Sequence, residues 1–272
     1  MSQSRLEKCF DELKRVKKKA LIPYITAGDP SPDLTVRLMH GLVESGADII
    51  ELGIPFSDPI ADGPIIQRAS ERALNQGVNL EACLGFVNDF RTINKVTPIV
   101  LMGYMNPIEQ FGWDHFADKA ARVGVDGVLV VDCPPEESKM CFDKLKAMHI
   151  DCIHLVAPTT SEKRLKKILG EATGYIYYVS LRGVTGSDKL NPVDVSQKIN
   201  FVKKHTKLPV AVGFGISSRK SVSDIAKTEA DGVVIGSALI RAMEEAGLEG
   251  RSPIETVKSR LDDLRKGLSE KR

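Results

Sequence analysis

Long apolar runs are missing from this chain of 272 residues. No stretch approaches the roughly 20 consecutive apolar residues that a bilayer-spanning helix needs. Residues 1–19 are polar and lack the apolar centre of a signal peptide. Charge of one sign is lacking too. Lys and Arg number 38 against 36 Asp and Glu, a net charge of +2. A surface so balanced carries no electrostatic footprint for nucleic acid. Cysteine is sparse and odd in number: Cys9, Cys83, Cys133, Cys141 and Cys152, with no CxxC. That excludes a disulfide framework and a cysteine zinc site. Free thiols suit a reducing compartment, so a cytoplasmic protein is expected. His40, His115, His149, His154 and His205 show no metal-ligand spacing, and no metal is expected.

What is present is the composition of an ordinary globular chain, 42% hydrophobic and 27% charged. Short runs rich in Val and Ile recur at 20–26, 48–52, 98–102, 127–131, 152–156, 175–179, 209–212 and 232–235. Gly, Pro or Asp bounds them, as in parallel strands buried on both faces. Amphipathic helical patterns lie between them, at 33–45, 80–92, 113–123, 136–148, 162–169, 193–204, 218–227 and 238–246. Gly46, Gly124 and Gly247 stand where C-cap glycines are expected. Leu6, Phe10, Leu13 and Val16 mark an N-terminal helix, and a last helix is expected near 253–267. Strict strand–helix alternation implies a parallel sheet with right-handed crossovers. Eight units at this length predict the α/β class and a (β/α)8 TIM barrel. An extra helix at each end completes one domain over residues 1–272. The first strand–helix turn has no GxGxxG, which counts against a dinucleotide fold.

In such a barrel chemistry sits at the C-terminal ends of the strands. Glu51 interrupts the second apolar run there. A carboxylate inside a barrel is costly unless paired or functional. Desolvation raises its pKa and suits it to proton transfer near neutral pH; the alternative is a structural glutamate bonded to a neighbouring strand. Asp62 follows in a loop stiffened by Pro55, Pro59 and Pro64. It is either a second carboxylate of the site or the N-cap of a helix starting near Ile65. Asp58 is expected at the loop tip. Glycines follow three consecutive strands: Gly183 and Gly186, then Gly213 and Gly215, then Gly236 before Ser237. Such exits let backbone N–H groups approach an anion, and a helix N-terminus adds its dipole. A phosphorylated small molecule is the implied ligand. Tyr175 and Tyr177 share a strand face, for packing or for bonding a carboxylate. Asp132 is expected to cap the next helix, and His154 and Cys133 to be core residues. No lysine lies in the eight runs, which disfavours a Schiff-base aldolase. Spacing does not name the substrate.

The string Glu51-Leu-Gly-Ile-Pro-Phe-Ser-Asp58-Pro-Ile-Ala-Asp62-Gly-Pro resembles the signature of the tryptophan synthase alpha subunit family. So do Tyr24-Ile-Thr-Ala-Gly-Asp-Pro30, Met102-Gly-Tyr-Met-Asn-Pro107, Asp132-Cys-Pro-Pro-Glu-Glu137, Gly183-Val-Thr-Gly186 and Gly213-Phe-Gly-Ile216, in the family's order. The resemblance implies a lyase of tryptophan biosynthesis. It would split indole-3-glycerol phosphate into indole and glyceraldehyde 3-phosphate, with indole passing to a beta chain. It gives Glu51 as acid/base, Asp62 as stabiliser of charge at the indole N–H, and Tyr177 as an orienting group. Gly186, Gly215, Gly236 and Ser237 match the phosphate positions. Tyr24, Met102, Leu129 and Phe214 match the indole pocket, and Thr185 the mobile loop. Pro55 and Asp58 match the face toward the beta chain in an alpha2beta2 heterotetramer. Pyridoxal phosphate belongs to the beta chain, so no cofactor is implied here. Arg182 and Tyr24 depart from the family's usual residues. A mainly regulatory subunit and a phosphosugar isomerase are the alternatives.

Overall fold

A computed structural model describes residues 3–180 and 192–269. Its strands are β1 (Ala20–Thr26), β2 (Ile50–Gly53), β3 (Ile99–Gly103), β4 (Gly127–Val130), β5 (Asp151–Val156), β6 (Ile176–Val179), β7 (Val210–Gly213) and β8 (Gly232–Ile235). They pair in sequence order, all parallel, and β8 closes on β1. The TIM barrel read from the sequence is therefore the fold, and each expected run lies within two residues of its strand.

The helices are α1 (Arg5–Arg15), α2 (Pro32–Glu44), α3 (Pro64–Asn75), α4 (Leu80–Ile93), α5 (Met105–Phe111), α6 (Trp113–Val123), α7 (Pro135–Ala147), α8 (Glu162–Glu171), α9 (Pro192–Lys203), α10 (Arg219–Ala226), α11 (Ser237–Leu248) and α12 (Pro253–Lys266). Two of these, α3 and α5, lie outside the expected alternation. The buried face of α3 is Ala69, Ser70 and Ala73, residues too small to write an apolar stripe. The other is only 7 residues long. Gly247 lies within α11, and the left-handed glycine comes later, at Gly250 with φ +66°.

The ladder register fixes which side chains face the barrel interior. Tyr24 pairs with Glu51, Glu51 with Val100, and Gly53 with Met102. Met102 pairs with Leu129, and Leu129 with Ile153. Tyr177 pairs with Ala211, two residues before Gly213. Alternate residues of a strand share a face. Tyr24, Glu51, Gly53, Met102, Leu129, Tyr175, Tyr177, Gly213 and Gly236 therefore all face inward. His154 faces out, against the Phe142 ring of α7 at 4.9 Å. Burial lowers its pKa to about 4, so it is the neutral core histidine expected.

Helix α1 closes the N-terminal end of the barrel. Leu6 fits against Gly127 and Gly174, where an added Cβ would lie 3.1 and 3.4 Å from its methyl. The Phe10 ring lies 5.7 Å from that of Tyr175. Buried Asp126 accepts from Arg5 at 2.8 Å, Arg91 at 2.6 Å and the Ile99 N–H at 2.8 Å. This ties α1, α4 and β3 to the start of β4. A groove of about 1640 Å³ also opens at this end, beside Lys14 of α1 and Lys17, Lys18 and Lys19 that follow it. It lies away from the strand exits, where barrel chemistry occurs.

Candidate active site

Glu51 is fully buried at 0% exposure, two residues before the C-terminal end of β2. Tyr175 reaches it from across the barrel, its hydroxyl donating to Oε1 at 2.5 Å. Oε2 is buried and has no partner among the described residues. Burial pushes the Glu51 pKa up to about 8, against a smaller opposing effect of the Tyr175 bond. At neutral pH the carboxyl is mostly protonated and has one oxygen uncommitted.

Asp62 follows on the β2–α3 loop. Its Oδ2 accepts from the Tyr104 hydroxyl at 2.8 Å. The same hydroxyl accepts from the Ala61 N–H at 3.1 Å, and the Phe56 ring lies 5.2 Å from the Tyr104 ring. Burial raises the Asp62 pKa, opposed by that bond. Gly63, with no side chain to bond, is the N-cap of α3, so Asp62 does not cap it. Its carbonyl instead accepts from Gln67 at 2.9 Å. Tyr24 and Tyr177 lie close enough to both carboxyls for those charges to raise their phenol pKa values, after burial.

The two tyrosines need glycines. A Cβ on Gly53 would lie 2.1 Å from the Tyr24 hydroxyl oxygen, and one on Gly213 would lie 2.0 Å from that of Tyr177. Tyr177 sits one pleat above Tyr175, which explains why the lower tyrosine, not Tyr177, bonds Glu51. At the β7 exit Phe214 and Gly215 both have left-handed backbone, φ +71° and +72°. Such a conformation is strained for phenylalanine. Ser180 secures it, donating to the Gly213 and Phe214 carbonyls at 2.7 and 2.8 Å. Gly236 caps α11, and Ser237 opens it. The first N–H groups of a helix lack intrahelical partners and favour an anion.

The sequence matches the family model of the tryptophan synthase alpha chain over residues 10–268. The chain belongs to that family. The alpha chain of Polynucleobacter asymbioticus is 54% identical over 243 residues, 89% of this chain and 91% of its own length. That of Cupriavidus metallidurans is 51% identical over 265 residues, covering 97% and 99%. The crystal structure of tryptophan synthase subunit alpha from Legionella pneumophila str. Paris superposes with a TM-score of 0.93 at 43% identity, covering 99% of this chain and 100% of that one.

In this alpha chain the barrel mouth gathers Glu51, Asp62, Tyr177 and Tyr24, with Met102 and Leu129 on adjoining inward positions. Phe214, Gly215, Gly236 and Ser237 gather at the β7 and β8 exits. Thr185 and Gly186, with Arg182, lie outside the described residues. Pro55 is buried, while Asp58 is exposed at the loop tip as expected. Asp132 caps α5 through the Met105 N–H at 2.8 Å, not the helix that follows it; Pro134 holds that N-cap. Tyr104 and Ser180 were not legible as site residues. Each is a polar tip at a strand exit, which was the available signal. Among the described residues, no group of three His, Cys, Asp or Glu is placed to hold a metal ion, and no helix is long and apolar enough to cross a membrane.

Proposed function

We propose that this alpha chain cleaves indole-3-glycerol phosphate to indole and glyceraldehyde 3-phosphate. The observation that carries the reading is Glu51: a buried, mostly protonated carboxyl with one oxygen held and the other open. The bond to be broken joins indole C3 to a carbon bearing a hydroxyl. Glu51 gives its proton to C3, which makes the ring cationic. Asp62 accepts a hydrogen bond from the indole N–H and stabilises that charge. Glu51, now ionised, takes the hydroxyl proton. The C–C bond breaks, its electron pair returns to the ring, and the aldehyde forms. One carboxyl can serve both atoms, because a single carbon separates them. Tyr175 holds Glu51, and Tyr177 bounds the space above it. Tyr24, Met102, Leu129 and Phe214 surround the indole, and Gly215, Gly236 and Ser237 receive the phosphate.

The chemistry requires only carboxyl and hydroxyl groups, so the reading assigns no cofactor to this chain. Pyridoxal phosphate is assigned to a beta chain that takes up the indole. A solved relative is an alpha2beta2 complex of Pyrococcus furiosus, described as mutually activating. The reading extends that assembly to this chain, through the loop bearing Pro55 and Asp58, in the cytoplasm as one domain. The test is indole release from indole-3-glycerol phosphate, with and without beta chain. Glu51→Gln should still bind a stable substrate analogue but lose about 10²–10⁴ in rate. Wild-type turnover in that variant would end the acid/base assignment.

A further inference from the structure

Two helices begin at the barrel mouth, α3 as an addition to the plain strand–helix alternation and α11 as the helix that follows β8. One, α3, begins two residues after Asp62; the other, α11, begins at Ser237. They pack against each other and against β1. Four charged side chains join them. Arg72 forks onto Asp29 of the β1–α2 loop, Nε to Oδ1 at 2.7 Å and Nη2 to Oδ2 at 3.1 Å. Its third nitrogen donates to Glu244 of α11 at 2.9 Å. Arg68, one turn earlier, forks onto the same Glu244 at 2.8 and 2.7 Å. Asp29 is 0% exposed, and Arg72 is its only side-chain partner among the described residues. The two arginines would repel along α3 without the two carboxylates between and beside them. Gln67 of the same helix holds the Asp62 carbonyl. The cluster therefore ties the backbone that carries Asp62 to the helix that starts at the anion-binding glycine.

We infer that Arg72 is a positioning residue that sets the separation between Asp62 and the start of α11, so that the chain measures its substrate end to end. The inference rests on the reading above, which puts the indole N–H at Asp62 and the phosphate at α11. The reacting C3 lies between these two anchors. A fixed span between them places C3 and the adjacent hydroxyl against Glu51. Misplacement of about 1 Å from a distant change can cost 10²-fold in rate. A ligand that meets only one anchor does not sense the span. A ligand that meets both gains from the second only when the span is right.

The experiment compares wild type, Arg72→Met and Arg72→Lys by calorimetry and turnover. Three ligands are titrated: indole, glycerol 3-phosphate, and indole bearing at C3 a three-carbon chain that ends in phosphate. In Arg72→Met the two-ended ligand should weaken about tenfold and kcat should fall at least as far. Indole and glycerol 3-phosphate should each stay within about twofold of wild type. Arg72→Lys keeps the charge without the fork and should fall between. Equal affinity for the two-ended ligand in all three proteins overturns the inference and leaves the function intact. Parallel loss of all three ligands also overturns it, as general damage. If wild type itself binds the two-ended ligand no better than the single ones, the reading of the site falls and the inference with it. Should Arg72→Met not fold, Arg72→Lys and Glu244→Gln carry the same comparison.

Discussion

Glu51 concentrates the electrostatic cost of the molecule in one side chain. Its folded pKa of about 8 stands above the ordinary 4.5, so the folded chain keeps a proton that the unfolded chain has lost. Stability therefore falls as pH rises between those values and levels off above them. Glu51→Gln removes that slope. Its gain over wild type should be small near pH 5 and reach on the order of a few kcal/mol above about pH 8; urea unfolding at both pH values checks this. The proposed reaction draws on the same proton. In it protonated Glu51 makes the first proton transfer, so kcat/KM should be level below and decline as pH rises through about 8. Tyr175 donates to the carboxyl and favours its ionised form. Tyr175→Phe should move the inflection upward, and a pH–rate profile reads it. An unmoved or lowered inflection would mean that the bond does not act on Glu51.

Among the elements, β7 shows how closely the strands are fitted to the tyrosines. Gly213→Ala forces a methyl into the Tyr177 hydroxyl, and the β7 exit is already held in left-handed backbone by Ser180. Overpacking of this kind costs about 1–3 kcal/mol. Indole release should fall along with the melting temperature. Adding Tyr177→Leu should return part of the stability without the activity, a coupling that a double-mutant cycle measures. Strands were the most legible elements, because burial on both faces leaves runs of Val and Ile. The α3 helix was legible only as a possible start near Ile65, since its small buried residues give no stripe. Glu51 was legible because a carboxylate interrupts an apolar run. Its bond to Tyr175 was not: alternation puts Tyr175 and Tyr177 on one face, but the depth at which each meets β2 depends on the stagger of the closed sheet. Tyr104 and Arg72 act through contacts between segments far apart in sequence, which no local pattern records.

Across the whole molecule the two ends of the barrel divide the work. The mouth holds the acids, the tyrosines and the left-handed exits. The opposite end holds α1 and the cluster of Arg5, Arg91 and Asp126. Arg91 is almost fully buried and also donates to the Gly124, Asn94 and Thr97 carbonyls at 3.0, 3.1 and 2.8 Å. Arg91→Met leaves those acceptors and Asp126 short of a partner, at a cost of about 3–5 kcal/mol. The melting temperature should drop sharply while kcat, measured well below it, stays unchanged. A matching loss of kcat would show that the two ends are not separable. One contact does cross between them. The ring of Tyr175 rests near Phe10 of α1, and its hydroxyl holds Glu51. A change of volume at Phe10 should therefore move Tyr175, and through its hydroxyl the acidity of Glu51. The working pH of the site should then be adjustable from the end of the barrel opposite its mouth.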